Sequence, residues 1–225
     1  MTGYTCGDLF LSGSLIENSG EALEELLRET KDLDILAFIG MPVEVAQRLY
    51  NCAVAVLRGE ILAVYPKSYI PNYGEYYESR YFESALNCNE KTVEIAGKTV
   101  PFGSDIILNC QNIKDLCVSA EVCEDMWAPV SPCVTAAVNG ATVICNLSAS
   151  NDFAGKKVSR KSLISAQSEK LKCVYAYVSS GMGESSTDLS FGGDKICGEL
   201  GSIAFEDKQR TDILYCTVDM EMVAF

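Results

Sequence analysis

Residues 141–151 read ATVICNLSASN, residues 173–181 read CVYAYVSSG, and residues 116–127 read LCVSAEVCEDMW. Each begins as a short apolar run and stops at Ser, Asn, Cys or carboxylates. Such runs predict buried strands that end in polar, reactive-looking residues. Residues 157–172 lie between two of them and place Leu163, Ile164 and Leu171 at helical spacing. Residues 131–139 predict a second helix, closed by Gly140, a residue suited to the position after a helix end.

Outward from this region the pattern changes. NCAVAVL (51–57) and EILAVY (60–65) flank Arg58-Gly59 and predict two strands about a tight turn. TVEIAGKTVPF (92–102) predicts a smaller hairpin, and DILAFIG (34–40) a buried strand. SDIILNC (104–110) and ILYCTVDM (213–220) are read as further strands, the latter as the last. Residues 1–17 are read as a loop, before a helix starting near Asn18 with Glu21 in capping-box spacing and Leu23, Leu26 and Leu27 as its apolar stripe. Hairpins first and alternating strands and helices later predict an α/β chain, a mixed sheet covered by helices. No repeat, low-complexity tract or linker interrupts it, so residues 1–225 are read as one domain.

The composition excludes much chemistry. The chain has no His, 11 Cys, 18 Lys plus Arg and 31 Asp plus Glu, a formal net charge of -13. Without imidazole there is no Ser-His-Asp triad, Cys-His dyad or HExxH zinc site. Acid–base work falls to carboxylates, Lys, Tyr or Cys. The negative charge repels phosphate backbones, so neither nucleic acid nor an anionic membrane is expected as partner. No run reaches the ~20 apolar residues of a transmembrane helix. The first residues show no secretory signal. The odd cysteine count, without any C-x-x-C pair, argues against a disulfide scaffold, a zinc ribbon or an iron–sulfur cluster. It suits a reducing, cytoplasmic setting and no bound metal, with most Cys acting as small buried hydrophobes.

Ligands of α/β folds gather at the carboxyl ends of strands. Four strand ends carry candidates: Tyr65-Pro66-Lys67, Cys123-Glu124-Asp125, Ser148-Ala149-Ser150-Asn151 and Ser179-Ser180-Gly181. A thiol attacks only as thiolate, which needs a cation or base close by. Glu124 and Asp125 oppose that at Cys123. On composition alone Cys123 reads as one more half-buried thiol and Lys67 as a loop lysine. The aromatic run around Lys67 makes a packed cluster there, and a Lys within it would be functionally notable.

YPKSYIPNYGEYYESRYF (65–82), VCEDMW (122–127), NLSASN (146–151) and GESSTDLSFGG (183–193), after the opening TGYTCGDLF (2–10), resemble the nitrilase or carbon–nitrogen hydrolase superfamily. Within it they are most similar to the N-terminal, glutamine-hydrolysing domain of glutamine-dependent NAD synthetases, over essentially the whole chain. The resemblance implies an αββα sandwich, two mixed sheets between helical layers. It implies a Glu-Lys-Cys triad, with Lys67 and Cys123 at the matching positions and Glu78 matching a second Glu that holds the Lys. Tyr73, Glu124 and Ser150 match positions lining the glutamine pocket.

The chemistry implied by the resemblance is amide hydrolysis through a Cys123 thioester, releasing ammonia that converts deamido-NAD to NAD. L-glutamine is the implied substrate, and an ATP-binding synthetase domain and a second copy of the chain are the implied partners. ATP, Mg and deamido-NAD belong to that synthetase domain, so no cofactor is expected in this one. The alternatives are a stand-alone amidase or carbamoylase of the same superfamily, or a non-catalytic remnant.

Two departures from the family pattern stand out. The family's general-base Glu lies in an FPEL-like segment just before TGY, and its synthetase domain carries an SGGxDS-like motif. Neither occurs in the 225 residues. The expectation is a domain lacking its first strand and the synthetase domain, with impaired glutaminase activity. Asp194 stands where this branch often has His.

Overall fold

The structure, a computed structural model, describes residues 1–181, 183–184, 188–207 and 213–224. The chain resolves into two compact units, Met1–Ile106 and Ile107–Phe225. Each is taken by itself.

In the first unit a kinked 3-10 segment, Tyr4–Leu11, leads into α1, Gly13–Glu29. Residues 1–17 are therefore not the expected loop. The helix begins at Gly13, and Asn18 and Glu21 lie inside it. Gly13, Ser14 and Gly20 are weak helix formers and hide the first turn from a propensity reading. The stripe is where the spacing put it. Leu23 is fully buried, and Leu26 and Leu27 pack beside it.

Three antiparallel strands follow: β1 Ala37–Val45, β2 Arg48–Leu57 and β3 Glu60–Pro66, in the order β1-β2-β3. β1 starts three residues later than the expected run and continues past it to Val45, and residues 34–40 are not buried as expected, Ile35 being 62% exposed. Pro42 is tolerated because β1 is an edge strand of this sheet. The turn at Arg58 and Gly59 has φ of 50° and 74°, the positive values a two-residue hairpin needs. A Cβ at Gly59 would lie 2.7 Å from the Leu27 carbonyl, so this turn closes directly on α1. β4 Thr92–Ile95 and β5 Lys98–Pro101 form the second expected hairpin. Tyr50 meets Phe102 edge-on in a core built from Leu23, Val43, Val54, Val64 and Val100.

In the second unit a mixed sheet has the order β11-β10-β9-β8-β7-β6 among the described residues. Its centre is parallel: β7 Cys117–Val122, β8 Val143–Ser148 and β9 Val174–Ser179. These are the three runs on which the sequence reading rests. Parallel neighbours need crossovers, supplied by α2 Pro132–Val138 and α3 Lys156–Leu171. β6 is only Leu108–Asn109, shorter than the run at 104–110 suggested. β10 Lys195–Glu199 and β11 Ser202–Glu206 complete the sheet antiparallel and were not foreseen.

The strand expected at 213–220 does not form. Residues 213–219 have no regular structure, and Met220–Ala224 is a short helix, α4. Alternation of apolar residues alone does not make a strand where no sheet edge pairs with it.

The second core joins Met126, Ala136, Ile144, Ile164, Cys173, Tyr175 and Ile196, with Leu163 and Leu171 packed against it. Cys173 in this core, and Cys197 in a separate cluster with Val174 and Val223, behave as hydrophobes. Burial pushes the Cys173 thiol up to about 12, and burial followed by neighbouring Cys216 does the same to Cys197. Unfolded thiols titrate near ~8.5. Between these values the folded chain holds protons that the unfolded chain has lost, so stability falls as pH rises from about 8.5 to 12, by roughly 1.4 kcal/mol per unit for each such thiol. Chemical denaturation between pH 8 and 10 should show this decline, and Cys173→Ala should make it shallower. A slope unchanged by that substitution would rule out the assignment.

Candidate active site

Lys67, Glu78 and Tyr73 belong to the first unit. The Lys67 backbone N–H donates to the Asn51 carbonyl at 2.8 Å, continuing the β2–β3 pairing past Pro66. Its own carbonyl accepts from Ala85 N–H at 2.9 Å. The backbone is thus held on both sides and the side chain points into the protein, with no exposed surface. Its Nζ donates to Glu78 Oε1 at 2.6 Å.

Glu78 opens a 3-10 turn, Glu78–Arg80, pinned by its N–H to the Pro71 carbonyl at 3.1 Å. The same Oε1 accepts from the Tyr4 hydroxyl at 2.9 Å, and Oε2 accepts from Asn51 Nδ2 at 3.4 Å. The aromatic cluster is real but mixed in burial. Tyr65, Tyr76 and Phe82 are buried, whereas Tyr73 is 58% exposed and meets Tyr76 edge-on at 5.7 Å. Tyr4 and Asn51 had no assigned role in the sequence. The TGY opening was the available signal for Tyr4; none marked Asn51.

Cys123, Glu124 and Ser150 belong to the second unit. Cys123 follows β7, begins the 3-10 turn Cys123–Trp127 and is 7% exposed. Its φ is 50°. A non-glycine residue in this region carries strain that its surroundings must hold, and such residues cluster at functional sites. Here the Val122 N–H donates to Asp125 Oδ2 at 3.0 Å, and Met126 is fully buried in the core. Both clamp the turn. A sharp turn at the end of a parallel strand presents a nucleophile and exposes the backbone N–H groups that follow. Glu124 is half-buried beside it.

Below this turn Glu121 is 2% exposed and accepts from four donors. These are the Cys133 N–H at 3.0 Å, Asn146 Nδ2 at 3.4 Å, and the hydroxyls of Ser131 and Tyr175. After burial itself, the Glu121 charge is the next cause pushing the Tyr175 phenol and the Cys173 thiol up. No local pattern in the sequence marks this strand Glu for burial.

Ser150 lies beyond the end of β8, 3% exposed. Its N–H donates to Ser179 Oγ at 3.3 Å, so the loops after β8 and β9 are joined. Its hydroxyl accepts from Arg160 Nη2 at 3.3 Å. Arg160 lies on α3, 1% exposed and ion-paired to Asp194. The GESSTD stretch singled out in the sequence lies partly outside the described residues, which include Gly183, Glu184 and Asp188 of it. No group of three or more Cys, Asp or Glu capable of holding a metal ion occurs among the described residues. No described helix is long and apolar enough to cross a membrane.

No protein-family model matches the chain. Over 210 residues, 93% of its length, it is 36% identical to the glutamine-dependent NAD(+) synthetase of Mycobacterium tuberculosis, of which the match covers 31%. A glutamine-dependent NAD(+) synthetase crystal structure from Cytophaga hutchinsonii superposes with a TM-score of 0.78 and 28% identity, covering 91% of this chain and 32% of that one. An amidase of the nitrilase superfamily from Nesterenkonia superposes with a TM-score of 0.67 over 91% of this chain and 68% of that one, at 20% identity, which shows a shared fold. The chain spans about a third of the length of the curated relatives it matches.

The buried Lys67–Glu78 pair yields a stability prediction. Removing one partner leaves the other charge desolvated and unanswered, at a cost of roughly 3–5 kcal/mol. Glu78→Ala should lower unfolding free energy by about that amount in urea titration. The double change Lys67→Met with Glu78→Leu should recover most of it. Equal losses from the single and double variants would show that the pair is not the cause.

Proposed function

From the premise that this chain is a nitrilase-superfamily domain akin to one part of glutamine-dependent NAD(+) synthetase, we propose that it is the glutamine amidohydrolase part of such an enzyme. The observation that carries the reading is the backbone at Cys123, a left-handed cysteine on a clamped turn at the carboxyl end of a parallel strand.

In this reading the Cys123 thiolate attacks the side-chain amide carbon of glutamine. The tetrahedral oxyanion is met by the Lys67 ammonium and the backbone N–H of Glu124. The C–N bond breaks, ammonia leaves with a proton supplied by the general base in its acid form, and a glutamyl thioester remains on Cys123. Water, deprotonated by the same base, releases glutamate. Glu78 holds Lys67 in place, a role its 2.6 Å contact supports. Tyr73, Glu124 and Ser150 bind the amino-acid end of the substrate.

The ammonia would serve ATP-dependent amidation of deamido-NAD in a synthetase domain, which would hold ATP and Mg. Residues 1–225 acting as one amidohydrolase domain, paired subunits and a cytoplasmic location belong to the same proposal.

A glutamine-like electrophile offered to the chain should label Cys123 in preference to the other cysteines, and Lys67→Ala should abolish the labelling. Peptide mapping reads the outcome, and indiscriminate labelling among the eleven Cys would count against the proposal. No FPEL-like segment stands within the 225 residues. Glutamate release by these residues alone should therefore be ~10²–10⁴-fold slower than by a chain that also carries the base. Equal rates would refute that assignment of the base. A panel of glutamine, aliphatic amides and N-carbamoyl amino acids separates glutaminase from amidase or carbamoylase.

A further inference from the structure

Arg160 occupies a position on α3 where an apolar residue would pack more simply. It is 1% exposed, one turn before fully buried Ile164 on the same helix. Burying a guanidinium is unfavourable unless its donors are answered. Nη1 is paired to Asp194. Nη2 donates to the Asn151 carbonyl at 3.0 Å and to Ser150 Oγ at 3.3 Å. Nε has no hydrogen-bond acceptor among the described residues, while the guanidinium carbon lies 5.5 Å from the centre of the Tyr177 ring.

The partners of Arg160 share a purpose. Asn151 and Ser150 belong to the loop that follows β8. Asp194 precedes β10, and its carbonyl accepts from the Ser179 N–H at 2.9 Å, at the end of β9. One side chain therefore ties the ends of two parallel strands to the start of an antiparallel one. Asp194 in turn is shared with Lys157 at 3.1 Å, and Lys157 with Glu206 at 3.1 Å. Tyr177 links this node to the nucleophile's surroundings. Burial raises its pKa, the Arg160 charge opposes that rise, and Cys123 adds to it.

A guanidinium can only donate. In its bond to Arg160 the Ser150 oxygen must therefore accept, which leaves the Ser150 proton to be given to another acceptor. We propose that Arg160 is a positioning residue. It fixes Ser150 as a hydrogen-bond donor toward an oxygen of the substrate's carboxylate, and Asp194 orients Arg160 for that task. The inference deepens the glutamine reading above and rests on it.

The test uses the full 225-residue chain and two electrophiles. A chloroketone analogue of glutamine reports pocket binding through the concentration that half-saturates labelling of Cys123. Iodoacetamide reports the reactivity of the thiol itself. Arg160→Lys keeps the charge but cannot reach Asp194, Asn151 and Ser150 together. It should raise the half-saturating concentration of the analogue about tenfold, the scale of one hydrogen bond supported by a charged group. Its maximal labelling rate and its iodoacetamide rate should stay within about twofold. Adding Ser150→Ala to Arg160→Lys should change little more, because the two act as one unit.

If Arg160→Lys does not fold, Asp194→Asn is read in the same way and should raise the half-saturating concentration about threefold. Unchanged half-saturation in the folded variants overturns the inference. So does a joint fall of the maximal and iodoacetamide rates, which would mark a purely structural role. A parent chain that shows no saturable labelling by the analogue refutes the glutamine reading and this inference with it.

Discussion

A carboxylate taken out of water must be answered by donors, and in each unit the surroundings of the candidate residues are arranged around that constraint. Glu78 is met by Lys67, Tyr4 and Asn51. Glu121 is met by the Cys133 N–H, Asn146 and two hydroxyls. Asp194 is met by Arg160 and Lys157. Leaving a buried anion unanswered costs several kcal/mol, a large part of the stability of any domain. Each carboxylate therefore fixes its donors in place, and those donors sit on different elements. Glu78 joins the N-terminal segment, β2 and the residue after β3. Glu121 joins β7, the start of α2, β8 and β9. Asp194 joins α3 to the approach to β10.

The consequence is that the buried carboxylates hold other elements in place. A chain without His has no neutral side chain that titrates near pH 7 in its ordinary state. Ionised and buried groups must instead be kept in fixed protonation states by their partners. Tyr175 remains a phenol because burial and the Glu121 charge both favour the protonated form. Cys173 remains a thiol for the same two reasons. Cys123 differs in its backbone. It sits where strand geometry breaks at a positive φ, and Asp125 and Met126 supply the bonds and packing that hold it there.

Much of this was legible in the sequence, and the failures have physical causes. The parallel strands were visible because they are written as short unbroken apolar runs. The turn at Arg58-Gly59 was visible because a tight hairpin demands positive φ, whereas the second turn, expected around Gly97-Lys98, falls one residue earlier at Ala96-Gly97. β10 and β11 were missed because KICGE and SIAFE are short and mix polar with apolar residues. They are strands because an open edge beside β9 pairs with them, a tertiary fact. Lys67 and Cys123 were singled out by motif, and the structure adds that Lys67 is buried against Glu78.

Arg160 shows why the buried charged residues were illegible. A periodicity reading assigns charged residues to the solvent face of a helix, and for Lys156 and Lys161 that holds in part, since neither is fully buried. Arg160 breaks the rule because its acceptors come from residues 150, 151 and 194, which no local pattern brings together. The same holds for Glu121, whose donors come from residues 131, 133, 146 and 175. Periodicity records where apolar area is buried; it is silent on where a charge is cheaper to satisfy inside than to leave in water. A polar residue that contradicts its own element's pattern is therefore the feature to examine in such folds. In this chain those residues are Lys67 and Glu78 in the first unit and Glu121 and Arg160 in the second, where Arg160 bonds Ser150 directly.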